Sequence, residues 1–215
     1  QRGLLMTVRL VYVMDPMCSW CWGFAPVVKA LAEQAAVDGV PLQIVTGGLR
    51  RDQLAINAAA RVRYLGYWQA VNASTGQLFD FERGLPEGLV YDTEPACRAL
   101  VTARQLDAAS AWTLLKLVQQ AFYTEGADVT QASVLVQLAE RAGIPRIEFA
   151  EAFDSQAMQE ATAADFTWVQ DLGIAGFPTL LAERDGQLAL LTNGYQPLEV
   201  LETLLGRWLE RAAHA

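Results

Sequence analysis

Two cysteines three positions apart, Cys18-Ser19-Trp20-Cys21, stand between an apolar run and a helical pattern. Leu10-Val11-Tyr12-Val13-Met14 is β-branched and aromatic, and Asp15-Pro16 stops it, so Val8–Met14 reads as a buried strand. Phe24, Val27, Val28, Leu31 and Ala35 then recur at helical spacing, which predicts a helix over Trp22–Ala36 ended by Gly39. In the first turn of such a helix, positions i and i+3 share a side, so the two sulfurs can close a small disulfide. The first thiol also meets unpaired backbone N–H groups and the positive end of the helix dipole, both of which favour thiolate over thiol. A thiolate attacks disulfides, and a second thiol beside it can resolve the mixed disulfide that results. The pattern points to redox chemistry.

Zinc is the rival claimant for a C-x-x-C pair, but it takes four ligands. Only Cys97 and the lone His214 remain as soft donors, and no second C-x-x-C exists, so no metal is expected. Three cysteines in 215 residues fit a reducing compartment, where such a pair is usually catalytic. Residues Gln1–Leu5, ahead of Met6, lack the basic and long apolar regions of a secretory signal. The expected location is therefore cytoplasmic, or periplasmic for a chain already processed. A formal net charge of −8 argues against nucleic acid or anionic lipid as partner. No apolar run is long enough to span a membrane. With 53% hydrophobic and 19% charged residues, the chain has ample material for a packed core.

A second short strand is expected at Leu42–Thr46, broken by Gly47-Gly48, which makes strand, helix and strand a βαβ crossover with parallel strands. Pro26 falls inside the first helix and should kink it. From about Asp52 to Leu172 the pattern turns helical, with segments at Ala111–Tyr123, Gln131–Ala142, Pro145–Gln156 and Gln159–Leu172. Thr179–Ala182 and Leu188–Thr192 flank Arg184-Asp185-Gly186, a hairpin signal. Pro197 starts a last helix whose stripe reads Val200, Leu201, Leu204, Leu205 and Trp208.

The thiol pair at a helix start, a βαβ…ββα frame and a late loop ending in Pro178 together resemble the thioredoxin superfamily. The helical block after the second strand resembles its DsbA branch. The run Asp15-Pro16-Met17-Cys18-Ser19-Trp20-Cys21-Trp22-Gly23-Phe24 is similar to a bacterial subgroup described as predicted protein-disulfide isomerases. The resemblance implies an α/β, thioredoxin-like fold with a large all-helical insertion between the second and third strands. Its division would be 6–51 with 173–212 as one unit and 52–172 as the other. Within Gly173-Ile174-Ala175-Gly176-Phe177-Pro178-Thr179, Pro178 matches the family's cis-proline. The backbone of Phe177 would then offer an edge for strand-like pairing with a bound peptide.

The resemblance makes Cys18 the nucleophile and Cys21 the more buried resolving thiol. It implies protein or peptide disulfides as substrates and a protein or small thiol, glutathione among them, as electron partner, with no bound cofactor. Trp20 and Trp22 could supply an apolar platform for substrate, and core packing is the equal alternative for Trp22. DsbA-type oxidants carry Pro-His between their cysteines, whereas Ser19-Trp20 stands here, and no basic side chain lies between residues 10 and 28. That departure predicts a less stabilised thiolate than in a strong oxidant, and so a reductase or isomerase. Cys97 reads as a buried small residue. Asp15 caps the strand-to-helix turn, with tuning the thiol pair or accepting protons as the alternative. Two other functions stay open: a glutathione-dependent isomerase or transferase of the kappa type, which uses serine where Cys18 stands, and a non-catalytic peptide-binding module. Oligomeric state is left open.

Overall fold

A computed structural model of the chain describes residues 7–213. Met6 with the residues before it, and His214, lie outside the described residues. Strand β1 (Val8–Met14) leads through the thiol pair into α1 (Ser19–Val37) and β2 (Leu42–Thr46). A short strand β3 (Arg51–Ala55) and helix α2 (Ala58–Thr75) precede β4 (Val90–Asp92). Five helices follow: α3 (Glu94–Leu106), α4 (Ala108–Thr124), α5 (Ala132–Arg141), α6 (Arg146–Asp154) and α7 (Gln156–Asp171). The chain returns to strand in β5 (Thr179–Arg184) and β6 (Gln187–Asn193) and ends in α8 (Leu198–Ala213).

The main sheet has the order β2-β1-β5-β6. β1 runs parallel to β2, as a βαβ connection requires, and antiparallel to β5, which pairs antiparallel with β6. The expected βαβ…ββα frame with its helical insertion is therefore the observed one. The insertion carries one feature not anticipated, a two-stranded antiparallel ribbon of β3 and β4.

β1 is buried on both faces, and its side chains alternate between two clusters, as a pleated strand dictates. Leu10, Tyr12 and Met14 enter the larger core with Phe24, Leu31, Leu180 and Leu205. Val11 and Val13 face Val169 of α7 and Leu181 of β5 in a smaller one. The β5–β6 turn consists of Asp185 and Gly186, with φ of 51° and 82°. That double left-handed geometry matches the twist of the flanking strands and explains the Asp-Gly pair.

Two expectations need correction. α1 begins at Ser19 rather than Trp22, so Cys18 is its N-cap and both thiols lie at the helix entrance. On α8 the buried stripe is Leu201, Leu205 and Leu209, while Val200 and Leu204 are exposed. Spacing i, i+4, i+8 selects one line on the helix, and the broader stripe wrapped past the contact.

Pro26 sits within α1, which continues through it. Proline has no N–H to give the carbonyl four residues back, that of Trp22. Gln77, beyond α2, supplies the missing donor: its Nε2 lies 3.0 Å from the Trp22 oxygen. The Trp22 ring answers by donating its Nε1–H to the Leu78 carbonyl at 2.8 Å. Replacing Gln77 with Ala should therefore lower stability by about 1 kcal/mol, or about 2–4 °C in Tm, in a thermal melt. An unchanged melt would show that the Trp22 carbonyl has another donor.

Candidate active site

The turn that delivers the thiols is built by Asp15. Its main-chain oxygen accepts from the Cys18 N–H at 3.1 Å, and its Oδ1 accepts from the Met17 N–H at 2.8 Å. Aspartate side chains favour such a local turn because they offer the backbone a nearby acceptor. Oδ2 reaches further. It accepts the Leu49 N–H at 2.7 Å and faces the Cys97 thiol at 3.3 Å. Asp15 and Cys97 are both completely buried. Burial raises the Asp15 pKa, and the donors around it pull it back. Burial likewise pushes the Cys97 thiol well up, and the Asp15 carboxylate beside it adds to the effect.

Cys18 stands at the helix N-cap in extended conformation, with φ −92° and ψ 119°. It retains 6% exposure, whereas Cys21, one turn into α1, has none. Both are free thiols, and the two residues approach to 3.3 Å. No acidic side chain occupies the first turn of α1 and no side chain caps it, so its first N–H groups stay open at the helix end where Cys18 stands. Burial, and then the neighbouring Cys18, push the Cys21 thiol well above its ordinary value.

The loop before β5 closes the site. The Phe177–Pro178 bond is cis, and the Phe177 carbonyl lies 3.8 Å from the Cys18 sulfur. Pro178 is buried, and its oxygen accepts the Gly194 N–H at 2.7 Å. The Phe177 ring rests on Gly47, where an added Cβ would lie 2.1 Å from its Cζ. The glycine pair after β2 is thus a seat for an aromatic ring as well as the end of a strand. Trp20 is half-buried against Tyr195, with ring centroids 5.9 Å apart. Trp22 belongs to the core, stacked on Tyr123 at 6.0 Å. Of the two readings for Trp22, packing is the one observed.

The structure thus brings Cys18, Cys21, Phe177 and Pro178 together and sets Trp20 beside them on α1. It adds groups that the sequence did not single out. Tyr91 donates its hydroxyl to the Met17 carbonyl at 2.5 Å and so pins the motif turn to β4. Tyr12 and Tyr123 place further buried phenols close enough to feel the charge of both thiols. Tyr12 alone carried a signal, as a polar tip on a strand otherwise apolar along its inward face. Tyr91 comes from a distant segment and carries no signal, and nothing in the sequence ties Cys97, read there as a buried small residue, to Asp15. Among the described residues no three His, Cys, Asp or Glu side chains are placed to hold a metal ion. No described helix is long and apolar enough to cross a membrane.

The sequence model of the DSBA-like thioredoxin domain matches residues 9–206. The chain belongs to that family. Its structural neighbours include disulfide-exchange proteins. It is similar to a candidate protein disulfide isomerase of Nitrosomonas europaea, at 38% identity and TM-score 0.88, covering 95% of this chain and 98% of that one. It is also similar to DsbM, a cytosolic disulfide reductase of Pseudomonas aeruginosa, at 28% identity and TM-score 0.76, covering 93% and 98%. DsbM has also been solved with glutathione. Among curated proteins, the ClpXP adapter protein SpxH of Halalkalibacterium halodurans is 24% identical over 208 residues, 92% of this chain. The chain spans 68% of that relative's length and 57% of the length of SpxH from Bacillus subtilis.

The burial of the three thiols predicts their order of reaction. With iodoacetamide at pH 8, Cys18 should be alkylated in the native protein, and Cys97 only once the chain unfolds. Peptide mass spectrometry reads this directly. Labelling of Cys97 alongside Cys18 in the native state would contradict the buried Asp15–Cys97 contact.

Proposed function

We propose that the chain reduces or isomerises disulfides in protein or peptide substrates, with glutathione as electron source. The observation that carries this reading is the asymmetry of the thiol pair. Cys18 keeps an opening to solvent at the helix N-cap, and Cys21 is sealed directly behind it. The Cys18 thiolate attacks one sulfur of a substrate disulfide and expels the other as a thiol. Cys21 then attacks the Cys18 sulfur, releasing the second substrate thiol and leaving a Cys18–Cys21 disulfide. Two glutathione molecules return the pair to dithiol and leave as glutathione disulfide, so two electrons pass in each cycle.

Substrate would lie along the Phe177–Pro178 loop, with the Phe177 backbone pairing to an extended peptide and Trp20 offering an apolar contact. The glutathione-bound form of DsbM and its cytosolic setting support glutathione as the partner and the cytoplasm as the location. In this reading 6–51 with 173–212 carries the chemistry, and 52–172 shapes the substrate groove above it. A kappa-type transferase finds less support, because Cys18 stands where those enzymes use serine.

A second reading has its own observation: the resemblance to SpxH adapters runs over most of the chain. On that reading the same face binds a protein without turning over a disulfide. Insulin reduction separates the two. Wild-type protein with glutathione should reduce insulin, and Cys18→Ser should lower the rate to the uncatalysed level. Cys21→Ser should accumulate a mixed disulfide visible on a non-reducing gel. Wild-type protein that binds insulin without reducing it would favour the adapter reading.

A further inference from the structure

The inward face of β1 places one polar atom against the thiols for which the fold provides no other use. The Tyr12 side chain is 1% exposed, its ring stacked on Trp112 at 6.3 Å and tilted by 44° against Phe24 at 5.9 Å. Its hydroxyl is fully buried, and among the described residues it finds no hydrogen-bond partner of good geometry. An orphaned buried hydroxyl forgoes the hydrogen bonds that water would give it. Cys21 lies in the same core cluster as Tyr12, and after burial it is the Cys21 thiol, ahead of that of Cys18, that most raises this phenol. A neutral thiol accepts a hydrogen bond weakly, and a thiolate accepts one well.

We infer that the Tyr12 hydroxyl is a catalytic hydrogen-bond donor to the Cys21 thiolate, which forms each time the Cys18–Cys21 disulfide is opened. The inference rests on the thiol-exchange activity proposed above. In the opening step a glutathione thiolate attacks the Cys18 sulfur, a glutathione–Cys18 bond forms, and the Cys18–Cys21 bond breaks. The electron pair leaves on the Cys21 sulfur, inside the core. A second glutathione thiolate then releases Cys18 as glutathione disulfide departs, and both protein thiolates take protons from water.

The leaving sulfur needs a donor because its site is otherwise hostile to charge. Cys21 is completely buried, and the carboxylate of Asp15 carries the same sign of charge nearby. Asp15 helps only through its main chain, whose N–H favours the thiolate. Its side-chain oxygens already accept Met17, Leu49 and Cys97. Tyr12 offers an uncommitted hydroxyl. Burial, and then the charge of Cys21, keep its phenol protonated far above neutral pH, so it can donate throughout the cycle. Tyr123 supplies an internal control: its hydroxyl is also buried and unpartnered, and it senses Cys21 only through charge.

The test is the rate at which glutathione opens the disulfide of the oxidised full-length protein at neutral pH, followed by acid quench and mass spectrometry. Tyr12→Phe should slow opening by about ten-fold or more, the range expected for a hydrogen bond to a charged group. Iodoacetamide alkylation of Cys18 in the reduced variant should stay within about two-fold of wild type, which separates loss of the donor from disturbed packing. Tyr123→Phe should open at close to the wild-type rate. Should Tyr12→Phe fail to fold, 3-fluorotyrosine at position 12 keeps the ring and strengthens the donor, and it should speed opening. Opening by Tyr12→Phe at the wild-type rate, an equal loss in Tyr123→Phe, or no gain from the fluorinated residue would overturn the inference. A wild-type disulfide that neither glutathione nor dithiothreitol opens would overturn the exchange activity itself, and the role of Tyr12 with it.

Discussion

A single buried carboxylate ties together the segments that make the site. Asp15 accepts hydrogen bonds from the motif turn at Met17, from the loop after β2 at Leu49, and from α3 at Cys97. All three contacts are donors, which suits an acceptor-only carboxylate and compensates for the loss of water around it. The loss of any one donor would leave a buried charge short of a partner. Through this residue the sheet that carries the thiols and the helical insertion meet beside the chemistry, and the depth at which Cys18 and Cys21 sit follows from it.

The aromatic groups around the thiols extend the same logic. Tyr91 holds the motif turn from β4, and Phe177 holds the loop before β5 by seating its ring on Gly47. Trp22 joins α1 to the chain beyond α2 through its ring nitrogen, while Gln77 repairs the hydrogen bond that Pro26 removes. These contacts fix the backbone on both sides of Cys18, the one residue of the thiol pair that keeps any exposure. Rigid surroundings with one accessible thiol are what selective disulfide exchange requires.

Much of this could be read from the chain before any coordinates, because the signals were local. Val8–Met14 declares a buried strand, Cys18 and Cys21 mark the helix entrance, and Asp185-Gly186 announces a hairpin. What escaped was non-local or polar. Arg51–Ala55 is mostly exposed and has no apolar alternation, so its pairing with Val90–Asp92 left no trace in periodicity. Cys97 lies 82 residues from Asp15, and no spacing rule connects them. Gly47 and Gly48 read as a strand break, whereas Gly47 also clears the space a ring needs. The apolar pattern of α8 is wider than its buried stripe because Val200 and Leu204 are apolar without being covered.

The proposed chemistry requires Cys18 and Cys21 to exchange a bond reversibly at the mouth of α1. Equilibration of the protein in buffers of varied glutathione to glutathione-disulfide ratio, followed by thiol counting and peptide mapping, tests this most directly. Two of the three thiols should disappear and return together, mapped to Cys18 and Cys21, with a midpoint near the cytosolic glutathione poise of about −220 to −260 mV. Three free thiols at every ratio, or an oxidised linkage that includes Cys97, would contradict it.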